Sequence, residues 1–404
     1  MAEYLRDLIQ ETSTRIVLAV MDGLGGLPLK PGGKTELETA KTPALDRLAK
    51  EGACGLLDPV APGITPGSIP GHLALFGYDP LEYHVPRGPA EAAGLDFDLR
   101  PGDLAVRCNF CTVDKKGVVT DRRAARIPSP QSLALVERMQ NEIPVIGDAE
   151  VTLLAGREHR FAVVFRGKDL VGPLTDSDPQ RPGLRPLEVT EPGKPDPVAA
   201  RVVNAFIEKA AEVLAKEKRA NFVLTRGAAN PPLLPAFYER FGLTAGAIAV
   251  YPAYRGLASL LGMELLSVRG DSYDHEIKTL QRYYPEQCHA FFFIHFKKPD
   301  SYGEDGNFEG KVADIEAIDL QMKKISELEP DVLAVTGDHS TPAAMKTHSW
   351  HPVPLLVWGR NVRPDTAKEF GESACATGGL GRIRGVDLMP LLLAHAGKLR
   401  RFSP

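Results

Sequence analysis

The chain has 404 residues, 43% of them hydrophobic and 25% charged, and a formal net charge of −4. These values indicate a globular protein of two or three domains and exclude the strongly basic field of a nucleic-acid-binding protein. No apolar run reaches the roughly 18–20 residues of a membrane span, and the charged N-terminal segment lacks the apolar centre of a signal peptide. We therefore expect a cytoplasmic protein with no nucleic-acid or membrane partner.

The first hundred residues contain two strong structural signals and one notable turn. The apolar run at 15–21 predicts a buried strand that ends at Asp22. Thr42 and Pro43 then open a helix that Gly52 stops. Residues 63–71 are punctuated by Gly and Pro, so we expect a turn there that exposes the hydroxyl of Ser68.

The middle of the chain, about residues 100–262, has a different character. It mixes strand-like runs with one clear helix at about 198–216 and a Pro-rich loop at about 168–197. Cys108 and Cys111 form a single CxxC in an apolar stretch, and no second CxxC accompanies it. We interpret this pair as packing residues, and the five cysteines as compatible with a reducing compartment.

The last 140 or so residues return to an alternating α/β pattern. Predicted strands at 291–296, 332–335 and 353–357 accompany helices at about 311–327 and 388–396. The Asp and His residues that we consider as metal ligands occur only in this part and in the first hundred residues. The sequence thus predicts a discontinuous core domain, 1–95 and 263–404, with an inserted domain at 96–262.

Acidic and imidazole side chains recur at the predicted strand ends of the core. Asp22, Asp300 and the adjacent pair Asp338 and His339 each follow a strand, and His348 precedes another. Open α/β sheets build their sites at strand ends, and Asp with His suits a pair of divalent ions. Taken one at a time, each of these residues is equally compatible with an ordinary loop position.

Six sequence blocks together resemble one known family. They are MDGLGG at 21–26, PGSIPGHLALFGYDP at 66–80, RGPAEAAGLDFDL at 87–99, DRRAARI at 121–127, GDHSTP at 337–342 and HSWHPVPLL at 348–356. In this order they resemble the archaeal-type 2,3-bisphosphoglycerate-independent phosphoglycerate mutases of the alkaline phosphatase superfamily, over about residues 15–397. The resemblance implies an α/β fold: an alkaline-phosphatase-like three-layer core with a mixed, mostly parallel sheet, plus a smaller inserted α+β domain.

The resemblance also implies a metal site and a nucleophile. Ser68 matches the phosphorylated serine, and the ligands of one ion match Asp22, Ser68, Asp338 and His339. Two ligands of a second ion match Asp300 and His348. The cofactors implied are two divalent ions, Mn²⁺, Mg²⁺ or Zn²⁺, with no need for 2,3-bisphosphoglycerate.

One position departs from the family. The family usually has a histidine four residues after the aspartate that matches Asp300, and this chain has Glu304 there. A carboxylate can also bind Mn²⁺ or Mg²⁺, so we predict Glu304 as a ligand, with Asp305 or His351 as alternatives. We expect His289 and His295 to be structural.

Polar residues of the middle domain are the candidates for binding a small phosphorylated acid, because arginine binds carboxylate and phosphate through two parallel hydrogen bonds. Arg122 and Arg255 rank first, since both lie in blocks that resemble the family's substrate-binding segments. The full set is Arg122, Arg255, Arg126, Arg160, Arg226, Asn109, Asp121 and Asp178.

The implied activity is the interconversion of 3-phosphoglycerate and 2-phosphoglycerate through a phosphoserine on Ser68. Domain closure would exclude water, with hinges near 85–100 and 260–265. Two alternatives stay open at this point. One is a metal-dependent phosphohydrolase or phosphotransferase acting on another small phosphorylated acid, and the other is an inactive relative that binds a metabolite.

Overall fold

Strands and helices alternate through most of residues 2–194 and 197–403, which the computed structural model describes. The strands are β1 (Ile16–Met21), β2 (Ala53–Asp58), β3 (Leu104–Val113), β4 (Val119–Asp121), β5 (Val145–Ile146), β6 (Ala149–Ala155), β7 (Arg160–Arg166), β8 (Phe222–Ala229), β9 (Ala245–Ile248), β10 (Glu264–Leu265), β11 (Phe291–Phe296), β12 (Val332–Thr336), β13 (Val353–Gly359) and β14 (Gly381–Arg384). The helices are α1 (Ala2–Leu8), α2 (Glu36–Thr39), α3 (Pro43–Glu51), α4 (Ser68–Leu75), α5 (Arg87–Gly94), α6 (Ser129–Glu142), α7 (Val198–Leu214), α8 (Phe237–Phe241), α9 (Pro252–Leu260), α10 (Tyr273–Tyr283), α11 (Lys298–Glu304), α12 (Phe308–Ser326), α13 (Glu372–Ala376) and α14 (Leu388–His395). Single 3₁₀ turns occupy Ala124–Arg126, Tyr284–Glu286 and Gly385–Asp387.

The strongest sequence signals produce the elements they predict. Every residue of β1 and of β11 is buried, as their continuous apolar runs require of strands covered on both faces. The predicted helix after Thr42 is also confirmed as α3, with Pro43 at its first position and Gly52 at its C-cap. None of the described helices has the length and apolar character needed to cross a bilayer.

The turn predicted around Ser68 is wrong, because Ser68 begins helix α4. Gly67 is the N-cap in an extended conformation, and Pro70 occupies the third helical position. The first four N–H groups of a helix have no partner within the helix, so a proline costs little there. The Gly and Pro residues that suggested a turn are therefore compatible with the first turn of a helix.

The described chain divides into two compact units. The first contains the residues up to His84, the segment Leu234–Tyr251 and the residues from Leu261 onwards. The second contains Val85–Leu233 and Pro252–Leu260. This division differs from the predicted boundaries at two places, since α5 packs on β3 and β8 in the second unit, and β9 pairs with β11 in the first.

The first unit contains an eight-stranded sheet in the order β10-β9-β11-β1-β12-β13-β2-β14. Neighbouring strands are parallel except at β13, which is antiparallel to both β12 and β2. Helices cover both faces. On one face Phe293 of β11 contacts Phe76, which follows α4, with a ring-centroid distance of 4.9 Å. On the other face Phe296 contacts Tyr273 of α10 at 5.1 Å.

The second unit contains an antiparallel sheet of six strands. Five of them follow the order β4-β3-β7-β6-β5, and β8 pairs with β3 on the side opposite β7. Helices α6 and α7 pack on this sheet around a core of Leu, Val and Phe side chains. Cys108 and Cys111 are buried in β3, and burial raises the pKa of both thiols. The predicted fold class, a mixed and mostly parallel α/β core with a smaller α+β unit, is confirmed.

Candidate functional site

The carboxyl edge of the first unit's sheet brings the predicted metal-type residues together. Asp22 follows β1, Asp300 lies in α11 just after β11, and Asp338 follows β12. Because β13 is antiparallel to β12, its first residue lies at this same edge, and His348 precedes it. Strand β2 runs parallel to β1, so the chain that continues from β2 to Ser68 also leaves the sheet here.

Asp22, Asp338 and His339 form a first group of ligand-type atoms, which lie within 4.8 Å of one another. The Nε2 atom of His339 lies 3.3 Å from Asp22 Oδ1 and 3.2 Å from Asp338 Oδ2. All three side chains are fully buried. The Oγ atom of Ser68 is 3.1 Å from the same Nε2 atom, so the predicted nucleophile contacts this group directly.

Asp300, His339 and His348 form a second group with the same spacing. The Nε2 atom of His348 is 3.4 Å from Asp300 Oδ1. The rings of His339 and His348 stack with a centroid distance of 3.7 Å. The two groups therefore share an imidazole and adjoin each other.

Glu304 lies at the margin of the second group. Its side chain is 53% exposed, and its Oε1 atom is 4.0 Å from His348 Nε2. Of the two alternatives, Asp305 is exposed at the end of α11. His351 stacks on Trp350 and places its Nδ1 atom 3.0 Å from Ser349 Oγ.

The negative charge of the two groups favours the binding of cations. Asp22, Asp300 and Asp338 are three buried carboxylates in neighbouring positions. Lys297 places its Nζ atom 3.1 Å from Asp22 Oδ2 and 2.5 Å from Asp300 Oδ2. Burial alone would raise the pKa of Asp22, but Lys297, His295 and neighbouring groups hold it well below its ordinary value. Carboxylates and imidazoles in this arrangement fit divalent ions of the Mn²⁺ or Zn²⁺ type.

Several residues at this edge were not assigned to the site from the sequence. His72, one helical turn after Ser68, has its Nδ1 atom 3.1 Å from Asp338 Oδ2. His295, which we expected to be structural, has its Nε2 atom 3.2 Å from Asp22 Oδ2. Thr341 and Lys297 also contact the predicted ligands. The spacing of His72 from Ser68 was the one available signal, because it places both residues on one face of a helix.

Two glycines allow the loops to approach so closely. Gly23 has a φ of +68°, and a Cβ atom there would lie 2.7 Å from Thr341 Oγ1 and 2.8 Å from Asp300 Cα. A Cβ atom on Gly71 would lie 2.1 Å from the carbonyl oxygen of Asp338. Helix α4 can therefore pack directly on the loop after β12, which sets Ser68 against His339.

A buried lysine joins the two central loops. Lys311 of α12 donates from Nζ to the carbonyl oxygens of Gly23 at 2.8 Å, Gly25 at 3.0 Å and Thr341 at 2.9 Å. Its charge is offset by Glu36, which is also fully buried and 3.9 Å away. Burial lowers the pKa of Lys311. This residue therefore fixes the loop after β1 against the loop after β12.

In the second unit, one face of the sheet carries a cluster of arginines. Arg107 and Asn109 are two residues apart in β3, so their side chains lie on the same face of the sheet. Arg226 of β8 lies directly opposite Arg107, and Arg160 of β7 lies opposite Asn109. Like charges directly opposite each other destabilise a sheet, so this face, here called the arginine face, points to an anionic ligand.

Several guanidinium N–H groups on the arginine face make no hydrogen bond to a described residue. Within the described part of the chain the Nε atoms of Arg107, Arg160 and Arg226 have no hydrogen-bond partner. The Nε atom of Arg226 nevertheless lies 3.5 Å from Asp176 Oδ2 and 3.9 Å from Asp178 Oδ2, so two carboxylates partly offset its charge. Burial lowers the pKa of Arg107 to about 10, opposed by Glu91, whose Oε2 atom is 3.8 Å from Arg107 Nε. The sequence prediction missed Arg107, although a charged residue within the apolar run of β3 was a visible signal.

Other predicted substrate residues already have partners within the second unit. Arg122 donates to both carboxylate oxygens of Asp178, at 2.8 and 2.6 Å. Arg255 donates to Asp96 at 2.7 Å and to the carbonyl oxygen of Gly94, at the C-terminal end of α5.

The remaining two belong to the turn after β4. Asp121 accepts hydrogen bonds from the backbone N–H groups of Arg123 and Ala125. Arg126 is exposed at the end of this turn. The loop around Asp178 is described except for residues 195 and 196 of the predicted stretch. Here Asp176 accepts from the Gly227 backbone at 2.8 Å.

Comparisons with known proteins agree with this fold and site. A model of the Metalloenzyme superfamily matches residues 14–395, which is the class of protein that a metal-type centre at the edge of such a sheet defines. A Thermus thermophilus protein named "probable 2,3-bisphosphoglycerate-independent phosphoglycerate mutase" is 52% identical over 401 residues, covering 99% of this chain and 98% of its own. The chain belongs to the 2,3-bisphosphoglycerate-independent phosphoglycerate mutase family.

Two solved structures have a similar fold, and one of them is named as a cofactor-independent phosphoglycerate mutase. A Pyrococcus horikoshii protein superimposes with a TM-score of 0.81 at 31% identity, covering 97% of this chain and 99% of its own. The cofactor-independent phosphoglycerate mutase of Thermoplasma acidophilum gives a TM-score of 0.66 at 32% identity, covering 95% and 100%. The resemblance inferred from the six sequence blocks is confirmed.

Proposed function

We propose that the protein interconverts 3-phosphoglycerate and 2-phosphoglycerate in the cytoplasm, through a phosphoserine on Ser68 and without 2,3-bisphosphoglycerate. The observation that carries this proposal is the contact between Ser68 Oγ and His339 Nε2, at 3.1 Å, inside a cluster of buried carboxylates. A hydroxyl in such surroundings can act as a nucleophile toward a phosphoryl group. The family's name supplies the substrate class.

The reaction has two transfers. The Ser68 hydroxyl loses its proton and its oxygen forms a bond to phosphorus, while the bond from phosphorus to the 3-oxygen of the substrate breaks and that oxygen takes up a proton. The 2-hydroxyl of the bound glycerate then loses its proton and attacks the phosphoserine, and the bond from phosphorus to the Ser68 oxygen breaks as Ser68 takes up a proton again. Both transfers need the acceptor oxygen in line with the leaving oxygen.

The two groups at the sheet edge are the residues we assign to metal binding. Asp22, Asp338 and His339, with Ser68, would hold one ion, and Asp300, His348 and Glu304 would hold the other. Bound divalent ions would lower the pKa of the Ser68 hydroxyl and offset the negative charge of the phosphoryl group. Ser68 also lies at the first position of α4, where the helix dipole stabilises an anion.

We assign recognition of the substrate's acid groups to the arginine face of the second unit. Arg107, Arg160 and Arg226 present donors without hydrogen-bond partners in the described chain. Guanidinium groups bind carboxylate and phosphate through paired hydrogen bonds. Arg122 is held by Asp178, so we assign it to shaping this face rather than to direct contact with an anion.

The test is a ³¹P NMR assay of the purified protein with 3-phosphoglycerate and Mn²⁺, with no 2,3-bisphosphoglycerate added. We expect a 2-phosphoglycerate signal to grow to equilibrium. Chelation with EDTA should stop the reaction and added Mn²⁺ should restore it. Release of inorganic phosphate without 2-phosphoglycerate would instead establish the phosphohydrolase alternative, which the departure at Glu304 keeps in view.

Replacing Glu304 should affect only the second ion. In Glu304→Gln we expect weaker binding of one of two ions, because the amide has no charge, while Glu304→His should shift the preference of that ion toward Zn²⁺ over Mn²⁺. Titration calorimetry of the metal-free protein measures both effects. The control is Glu309→Gln, an exposed position at the start of the next helix. Two unchanged ions in Glu304→Gln would show that Glu304 is not a ligand.

A further inference from the structure

Thr341 lies between the two groups at the sheet edge and contacts residues of both. Its side chain is fully buried, and its Oγ1 atom lies 2.8 Å from Asp300 Oδ1 and 2.9 Å from His339 Nδ1. Asp300 belongs to the second group, and His339 to both. One hydroxyl therefore contacts ligand-type residues on either side.

The chemistry of these contacts fixes the position of each proton. A carboxylate only accepts hydrogen bonds, and a threonine has one proton to donate. If that proton goes to Asp300, the threonine oxygen must accept from His339, so the hydrogen of His339 lies on Nδ1. The lone pair of His339 then lies on Nε2, which is the atom that contacts Asp22, Asp338 and Ser68.

The backbone holds this hydroxyl in place independently of the side-chain contacts. The N–H of Thr341 donates to the carbonyl oxygen of Gly25 at 3.0 Å, and its own carbonyl accepts from Lys311 at 2.9 Å. A Cβ atom on Gly303 would lie 2.1 Å from that carbonyl oxygen. Because valine matches threonine in shape, Thr341→Val removes the hydroxyl and leaves these backbone contacts unchanged.

We propose that Thr341 is a positioning residue that holds His339 in the tautomer protonated at Nδ1 and orients Asp300 at the same time, so that one hydroxyl prepares ligands of both metal ions. Outer hydrogen bonds of this kind fix the tautomer and the ring orientation of a metal-binding histidine. The inference rests on the proposed function only in taking the two groups as metal sites.

The first test is metal affinity, measured by calorimetric titration of the metal-free protein with Mn²⁺. We expect Thr341→Val to weaken binding by about 10- to 100-fold, the usual effect of losing such a partner. Thr341→Ser, which keeps the hydroxyl, should stay within about threefold of the wild type, by the same argument. The control is Thr336→Val, which removes another buried hydroxyl of the same sheet edge; among the described residues this hydroxyl bonds only to backbone oxygens.

The second test observes the wild-type protein directly, and a variant serves only to assign the signals. In the Zn²⁺-loaded wild type with ¹⁵N-labelled histidine, the His339 signals should show a proton on Nδ1 and none on Nε2. His339→Gln identifies the signals by their loss. A proton on Nε2 would overturn the proposal, and so would unaltered metal affinity in Thr341→Val or an equal loss in Thr341→Ser.

Neither measurement reads mutase turnover. If the protein proved to be a phosphohydrolase, the tautomer and the affinities would still decide the role of Thr341. Conversely, an active mutase with full metal affinity in Thr341→Val would refute this inference and leave the proposed function intact.

Discussion

Ser68→Ala should lower mutase turnover by at least about 10⁴-fold, the scale of loss when a nucleophile is removed from an enzyme that forms a covalent intermediate. The fold should survive, because Ser68 is partly exposed at the start of α4 and its hydroxyl contacts only His339 among the described residues. Much of the metal binding should also survive, since Asp22, Asp338 and His339 remain. The measurements are ³¹P NMR turnover and the intact mass of protein quenched during reaction.

The intact mass tests whether Ser68 is the residue that carries the phosphoryl group. The wild type should carry a phosphoryl adduct and Ser68→Ala should carry none. Ser267→Ala, an exposed serine in the same unit, is the control and should behave as the wild type does. Full turnover in Ser68→Ala, or an adduct that persists on another residue, would remove Ser68 from the role of nucleophile.

Lys311→Met should lower the free energy of unfolding of the first unit by about 3–5 kcal/mol, the cost of removing one partner of a buried ion pair. The carbonyl oxygens of Gly23, Gly25 and Thr341 each lose the hydrogen bond from Lys311, and Glu36 is left buried without its cation. Because Lys311 joins the loops that carry Asp22 and Asp338, metal affinity should fall as well.

Tryptophan fluorescence during urea unfolding is the appropriate measurement. Trp350 and Trp358 both belong to the first unit, so the signal does not mix the two units. EDTA in the buffer keeps metal binding from masking the change. Lys323→Met, an exposed lysine on the same helix, should have almost no effect. An equal urea midpoint for the two variants would mean that Lys311 does not stabilise the contact between the loops after β1 and β12.

The sequence was most informative where a pattern of side chains is compatible with only one kind of secondary structure. The apolar runs at β1 and β11 define buried strands, and Asp22 and Asp300 could be placed at strand ends from these runs alone. The position of His348 was harder to predict, because it depends on β13 running antiparallel to its neighbours. A short apolar run does not reveal the direction of a strand.

Residues that act through hydrogen bonds between segments far apart in the sequence were beyond sequence reasoning. Thr341 and Lys311 look like an ordinary loop threonine and an ordinary helix lysine until the loops after β1 and β12 are brought together. The ranking of Arg122 above Arg160 and Arg226 was likewise made without knowledge of the partners of these side chains. Only the three-dimensional arrangement shows that Asp178 already binds the Arg122 guanidinium.

The reversed direction of β13 has a consequence for how the site can be altered. The connection between β12 and β13, residues 337–352, carries Asp338, His339, Thr341 and His348 on one continuous peptide. Asp22 and Asp300, in contrast, each follow a separate strand. An insertion within 337–352 would therefore disturb both groups of ligand-type residues together, whereas this one segment, exchanged as a cassette between relatives, would carry residues of both groups with it.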